Sequence, residues 1–133
     1  MKTDIQNRTD INQLLHLFYS RVRADEALGH IFDGVAKVNW ETHLPKIGDF
    51  WESLLFGTAQ FRGSPMQAHL HLNEQTPLLP EHFERWLQLF HTTIDELFAG
   101  EKAEEAKNRA FAIASTMQYK IKSKFTIATA PQS

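Results

Sequence analysis

The chain has 133 residues, of which 42% are hydrophobic and 23% are charged, and its formal net charge is −2. This length suits one domain with one hydrophobic core, and the small net charge gives no reason to expect nucleic acid or an anionic membrane as a partner. The chain contains no cysteine, which excludes disulfides, thiolate catalysis and thiolate metal sites.

Two further features of the composition bear on function. No apolar run approaches the ~20 residues of a membrane span, and the first ten residues lack the apolar region of a signal peptide, so we expect a cytoplasmic protein. Ten Phe and three Trp stand against two Tyr. So many flat apolar rings can pack a small core or line a pocket for a flat apolar ligand.

The first predicted helix covers residues 10–24, where apolar residues recur at the three-and-four spacing of one helical stripe. This stripe comprises Ile11, Leu14, Leu15, Phe18 and Val22. Tyr19 borders or joins it. A short helical turn then follows, broken at Gly29, and we expect it to direct Ile31 and Phe32 inward.

A second main helix is predicted over residues 39–56, with Asn39 as a candidate N-cap. Its stripe comprises His43, Ile47, Phe50, Trp51, Leu54 and Leu55. Pro45 is tolerated best in the first turn, where backbone N–H groups lack partners, so the regular part is predicted to begin near Thr42. Gly57 is a plausible stop.

Residues 64–72 predict a short helix with a capping box that begins at Ser64. Its sequence "AHLHL" places His69 and His71 two positions apart. On a helix such neighbours point about 200° away from each other, so they cannot share one ligand and only one of them faces inward. The next stretch, "NEQTPLLP", contains two prolines and is predicted to be a loop.

Two long helices complete the chain, over residues 80–99 and 101–124, and the tail over residues 126–133 is expected to be disordered. The first has the stripe Phe83, Trp86, Leu87, Phe90, Ile94, Leu97 and Phe98; the second has Ala103, Ala106, Ala110, Ile113, Ala114, Met117 and Ile121. No segment has the period of a strand. We therefore predict one all-α domain spanning residues 1–133.

Histidines on apolar stripes are the candidate functional residues, because a buried ring is costly unless its nitrogens find partners. His43 and one of His69 or His71 fit this description, although by residue type alone such histidines are more often satisfied core or half-exposed groups than ligands. The surface or boundary histidines are His16, His30, His82 and His91. No carboxylate–histidine cluster occurs at helical spacing, which weakens a zinc site as the explanation.

Three polar side chains at inward positions, Tyr19, His43 and Trp86, come from three separate helices. Each carries a polar group at the end of an apolar body, and a pocket with a few convergent polar groups is the usual form of a ligand site. A haem, which is flat, largely apolar and takes one imidazole on its iron, fits the aromatic-rich composition. The remaining interpretation is a haem-free helical interaction module.

Several stretches together resemble the truncated haemoglobins, and within them the third group. The resembling stretches are "LFYSRVR", "LGHIF", "NWETHLPKIGDFWESLLFG", "GSPMQAHLHL", "HFERWLQLF" and "RAFAIAS". The resemblance implies an all-α truncated globin fold, a two-over-two helical sandwich enclosing haem b. It also implies that His69 is the proximal iron ligand and that His71 faces solvent or a propionate.

On the opposite haem face, the resemblance implies polar distal positions for Tyr19, His43 and Trp86. Tyr19 and Trp86 would donate hydrogen bonds to a bound gas, and His43 would gate access. The other implied haem contacts are Phe32 against the macrocycle, Ile47, Phe50 and Trp51 on the distal wall, Lys46 near a propionate, and Met117. The expected function is reversible binding of O₂, with NO and CO as competing ligands. The alternative is NO dioxygenation or peroxidase-type chemistry, which would need a separate reductase.

Overall fold

A computed structural model describes residues 2–31, 40–57 and 78–129 of the chain. Helices and no strands occur within these ranges, in agreement with the predicted all-α class. They are α1 (Arg8–Ala24), α2 (Glu26–Gly29), α3 (Trp40–Phe56), α4 (Pro80–Leu97) and α5 (Glu101–Thr129). None of these helices is both long enough and apolar enough to cross a membrane. The predicted helix over residues 64–72 lies outside the described residues.

The observed helix bounds differ from the predicted ones by a few residues. Helix α1 begins at Arg8 because the side chain of Asn7 caps it, accepting a hydrogen bond from the backbone N–H of Asp10 at 3.0 Å. This is the ordinary N-cap arrangement, in which a side-chain oxygen satisfies an otherwise unpaired backbone donor. Helix α4 ends at Leu97 rather than at residue 99, and helix α5 continues to Thr129.

Pro45 lies inside helix α3, which begins at Trp40. The prediction that the regular helix begins near Thr42, with the proline in its first turn, was therefore wrong. A proline at this depth removes the N–H that would pair with the carbonyl of Glu41. Both residues are exposed, and at an exposed position the loss of this bond is least costly.

The core joins two pairs of helices. Helix α1 packs on α3, helix α5 packs on α4, and contacts between α1 and α4 connect the pairs. The largest side chains at the centre are Phe18, Phe90, Ile5, Ile11, Leu15, Ile94 and Val22. All of them except Ile5 lie on the stripes that the apolar periodicity predicted.

Arg8 clamps the beginning of α1 to α3. One terminal nitrogen of its guanidinium donates to the carboxylates of Asp49 at 2.7 Å and Glu52 at 3.0 Å. The other donates to the backbone carbonyl of Pro45 at 3.0 Å. A Cβ at Gly48 would lie 2.6 Å from that second nitrogen. The glycine inside α3 is thus explained by the close approach of Arg8.

The end of α3 is held by the last helix. Gly57 ends α3 as predicted, with a positive φ of 73° that favours glycine. The ammonium group of Lys102 donates to the carbonyl of Leu55 at 2.6 Å and lies 5.5 Å from the ring centroid of Phe56. A cation at this position satisfies a terminal carbonyl and complements the negative end of the helix dipole.

Candidate functional site

Two of the predicted polar residues, Tyr19 on α1 and Trp86 on α4, meet in a side-chain hydrogen bond. An indole nitrogen can only donate, so the N–H of Trp86 donates the hydrogen bond and the hydroxyl oxygen of Tyr19 accepts it. Tyr19 is only 7% exposed. The pair therefore places a buried hydroxyl at the junction of the two helices.

Burial also determines the protonation state of this hydroxyl. Removal from water raises the pKa of the Tyr19 phenol well above its usual range, and the hydrogen bond from Trp86 opposes this only in part. Burial acts in this direction because it disfavours the charged phenolate. Tyr19 is consequently a neutral phenol, able to donate through its own O–H.

Aromatic packing fixes the orientation of the indole. The Trp86 ring stacks on Phe90 with a centroid distance of 5.5 Å and an interplanar angle of 4°. Phe18 meets the Trp86 ring edge-on at 5.7 Å and the Tyr19 ring edge-on at 4.7 Å. Stacked and edge-to-face contacts are the favoured aromatic geometries. The direction of the indole N–H is thus set before any ligand arrives.

His43, the third predicted polar residue, is connected to Tyr19 through Trp40. The Trp40 ring lies 5.1 Å from the Tyr19 ring and 5.6 Å from the His43 ring, centroid to centroid. The guanidinium carbon of Arg23 lies 5.3 Å from the Trp40 ring centroid. Sequence reasoning missed Trp40, because the helix was expected to become regular only after it. The signal was its position three residues before His43, one helical turn away.

A groove of about 860 Å³ opens between α1 and the first half of α3. Its apolar lining includes Leu15, Tyr19, Trp40 and Leu44, and polar residues such as Ser20 surround it. Tyr19 is therefore reached from solvent along this groove.

The predicted wall residues on α3 differ in their surroundings. Ile47 and Phe50 are half-buried and Lys46 is exposed. Trp51 is buried and stacks on Phe90 at 5.1 Å, with an interplanar angle of 26°. Trp51 thus makes the contacts of a core residue, and a part for it in binding stays a prediction.

Met117 lies apart from the Tyr19–Trp86 pair. It is buried on α5 in a small cluster with Phe83 of α4 and Ala114. Trp86 packs against this cluster as well as against the main core. Met117 is therefore linked to the pair through Trp86, and its predicted contact with a cofactor stays a prediction.

His69, His71 and Phe32 lie outside the described residues, so their predicted roles stay predictions. Within the described ranges, no group of three or more His, Asp or Glu residues could hold a metal ion. His16 and His30 are exposed, as expected of surface residues.

The remaining two histidines make backbone contacts. His82 is half-buried, and its Nδ1 accepts the backbone N–H of Leu79 at 3.0 Å, which helps to begin α4. Nε2 of His91, also half-buried, lies 3.3 Å from the carbonyl oxygen of Lys107. Both agree with their assignment as boundary residues.

The chemistry available at the pair is hydrogen-bond donation into an apolar site. A preorganised donor among aromatic rings stabilises partial negative charge on a nearby atom more than the same donor does in water. The half-buried rings beside it suit a flat apolar group. The described residues therefore fit one face of such a group, with its polar contact at Tyr19.

Known proteins resemble this chain both in sequence and in structure. The sequence profile of the bacterial-like globin family matches residues 4–120. The group 3 truncated hemoglobin ctb of Campylobacter jejuni is 36% identical over 121 residues, covering 89% of this chain and 93% of that protein. The crystal structure of the group III truncated hemoglobin from Campylobacter jejuni superposes with a TM-score of 0.79 at 34% identity, covering 91% of this chain and 95% of that one.

Proposed function

The chain belongs to the bacterial-like globin family, and from this premise we propose that it binds haem b and reversibly holds O₂, with NO and CO as competing ligands. The all-α truncated globin fold expected from the sequence is confirmed by the solved relative. Membership of this family implies a haem-binding globin. The choice of gas and the residues that contact it are the substance of the proposal.

Haem would supply an iron atom that can take an imidazole nitrogen from the protein and bind a diatomic gas. His69 is the proposed imidazole donor. Its other ring nitrogen would donate to a backbone carbonyl, which sets the tautomer. Phe32, Ile47 and Phe50 are proposed to contact the macrocycle, and the exposed Lys46 to pair with a propionate at its edge.

The observation that carries the proposal is the hydrogen bond between Trp86 and Tyr19. It holds a neutral phenol among apolar rings, and bound O₂ carries more negative charge than bound CO. A donor at Tyr19 therefore favours O₂ over CO and slows its release. His43, one turn from Trp40, is proposed to gate access to the same side.

The first experiment tests the cofactor and its ligand together. We expect purified protein to show the Soret band of a haem protein. His69→Gly should lose haem or bind it weakly, and added imidazole should restore the spectrum, because the free base replaces the missing side chain. His71→Ala is the matched control, and we expect its spectrum to be that of the wild type.

Two results would contradict the proposal. If the protein shows no Soret band after haem is added and the unbound haem is removed, the haem-free interaction module becomes the better interpretation. Reversed effects of the two substitutions would mean that the iron ligand is assigned two residues away from its true position.

A further inference from the structure

Trp40 occupies a position that the proposed function does not use. It is the first residue of α3, and its ring lines the groove beside Tyr19, 5.1 Å from the phenol ring. On the same face of α1, one turn after Tyr19, Arg23 places its guanidinium 5.3 Å from the Trp40 ring centroid. Side chains four apart on a helix are neighbours, so a single indole can contact both.

These contacts hold Trp40 in place. The attraction between a guanidinium and the face of an indole favours one ring orientation. The edge-on contact of the Trp40 ring with His43, at 77°, restrains it from within its own helix. Trp40 is thus positioned by one residue of α1 and one of α3.

The phenol of Tyr19 is supported from several directions. Phe18 meets its ring edge-on, and the indole N–H of Trp86 donates to its hydroxyl. Trp40 adds a contact from α3, at the groove. With a smaller side chain at position 40, the Tyr19 ring would lose this contact, and the rotations about its side-chain bonds would become freer.

We propose that Trp40, with Arg23 against its face, is a positioning residue that holds the Tyr19 phenol against Trp86 and so fixes the direction in which its O–H donates to a bound gas. This inference rests on the proposed function, because it assumes that Tyr19 is the donor. Trp40 itself does not touch the gas.

The test combines kinetics with vibrational spectroscopy of the haem-loaded protein. Trp40→Leu keeps apolar bulk at the position and removes the aromatic face. We expect its O₂ dissociation rate to rise about three- to tenfold, part of the loss expected for a whole hydrogen bond to a charged acceptor. The infrared C–O stretching band of the carbonyl complex should broaden or split, because the phenol then takes more than one orientation.

Three further variants separate positioning from a general structural effect. Trp40→Phe keeps an aromatic ring and should restore most of the wild-type rate and a single band. Phe56→Leu removes an aromatic ring from the other end of α3, where it is exposed, and should leave both measurements unchanged. In a Tyr19→Phe background, Trp40→Leu should have no further effect, because no hydroxyl remains to be positioned.

The outcomes distinguish this inference from the proposed function. If Tyr19→Phe raises the O₂ dissociation rate and Trp40→Leu leaves both rate and band unchanged, the positioning inference is overturned and the function stands. A Trp40→Leu effect that persists undiminished in the Tyr19→Phe background also overturns it. If Tyr19→Phe itself has no effect, the donor role in the proposed function fails. If Trp40→Leu does not retain haem, Arg23→Gln is the variant to measure in its place. It removes the cation from the face of Trp40, and the same broadening of the C–O band is expected.

Discussion

Trp86 has a single N–H, and the structure directs it to the hydroxyl of Tyr19. From sequence alone both residues were expected to donate separately to a bound gas. The observed bond gives the two residues different parts. The indole of Trp86 orients the phenol, and the O–H of Tyr19 remains available to donate to a bound gas. Hydrogen bonds linked in this way polarise one another, which strengthens the outer donor.

Substitutions at these two residues should therefore have unequal effects. Tyr19→Phe removes the donor, and a hydrogen bond to a charged acceptor contributes about 1.5–3 kcal/mol, so we expect O₂ dissociation to quicken about ten- to a hundredfold. Trp86→Phe removes only the group that orients the phenol and should have a smaller effect. Stopped-flow displacement of O₂ by CO measures both.

CO dissociation serves as the control, since bound CO is less polar and should respond much less to either substitution. Because burial raises the pKa of the Tyr19 phenol, its hydrogen bond should contribute equally from about pH 6 to about pH 10. Equal effects of the two substitutions would show instead that the indole donates directly to the gas.

Among the helices, α5 depends on a residue at the other end of the chain. The carboxylate of Asp4 accepts the backbone N–H groups of Lys102 and Ala103, each at 2.8 Å. Gly100, at φ 147°, permits this approach, since a Cβ there would lie 2.5 Å from the Asp4 carboxyl carbon. Asp4 thus caps the N-terminus of α5 and lies at the positive end of its dipole.

Asp4→Ala should destabilise the protein by about 1 kcal/mol at neutral pH, the usual cost of losing an N-cap. Partial burial acts to raise the pKa of Asp4, but the backbone N–H groups of Lys102, Ala103 and Ile5 outweigh it, so the pKa lies below its ordinary value of 3.8. A lowered folded-state pKa contributes stability that is present above the unfolded pKa and lost as pH falls through the folded pKa.

Urea denaturation of wild type and Asp4→Ala at several pH values checks this. The difference in free energy of unfolding should be constant down to about pH 5 and should narrow below about pH 4. Asp4→Asn keeps an accepting oxygen without the charge, so its deficit should be smaller. A difference that grew on acidification would contradict the assignment of Asp4 as a charged cap.

Within the part of the chain that the structure describes, the buried residues form a main core and a small second cluster, and packing is uneven on the side of the site. Several large apolar residues of α3 and α4 are only partly buried where they pack against the core. They are Trp40, Leu44, Ile47, Phe50, Leu54, Trp86, Leu87 and Leu89. A flat apolar group that covers such surface stabilises the fold by about 25 cal/mol for each Å² removed from water.

Removing the haem should therefore lower the thermal midpoint of unfolding, and adding it back should restore the midpoint. At free haem a hundred times its dissociation constant, the stabilisation should be about 2.7 kcal/mol. Circular dichroism melts of the haem-free protein during a haem titration measure this. His69→Gly should show a smaller stabilisation at the same haem concentration. A thermal midpoint that did not change with haem concentration would argue against the proposed cofactor.

The amino-acid sequence by itself determined the all-α class, the main helices within a few residues and most of the core. These follow from apolar periodicity, which is a local property of the chain. It also singled out Tyr19, His43 and Trp86, because polar ends on inward stripes are unusual. For His69, helical geometry predicts only that one histidine of "AHLHL" faces inward, and the choice between the two depended on family resemblance.

The tertiary structure alone decided which side chains meet. The bond from Trp86 to Tyr19, the place of Trp40 between Arg23 and the phenol, and the cap that Asp4 provides to a helix start 98 residues away all join separate elements. Such contacts depend on how helices cross and on where side chains converge, and no local pattern encodes either. Pro45 shows that a local preference can also mislead. The preference of proline for a first turn predicted that the regular helix begins near Thr42, whereas in the packed structure Pro45 lies inside the helix.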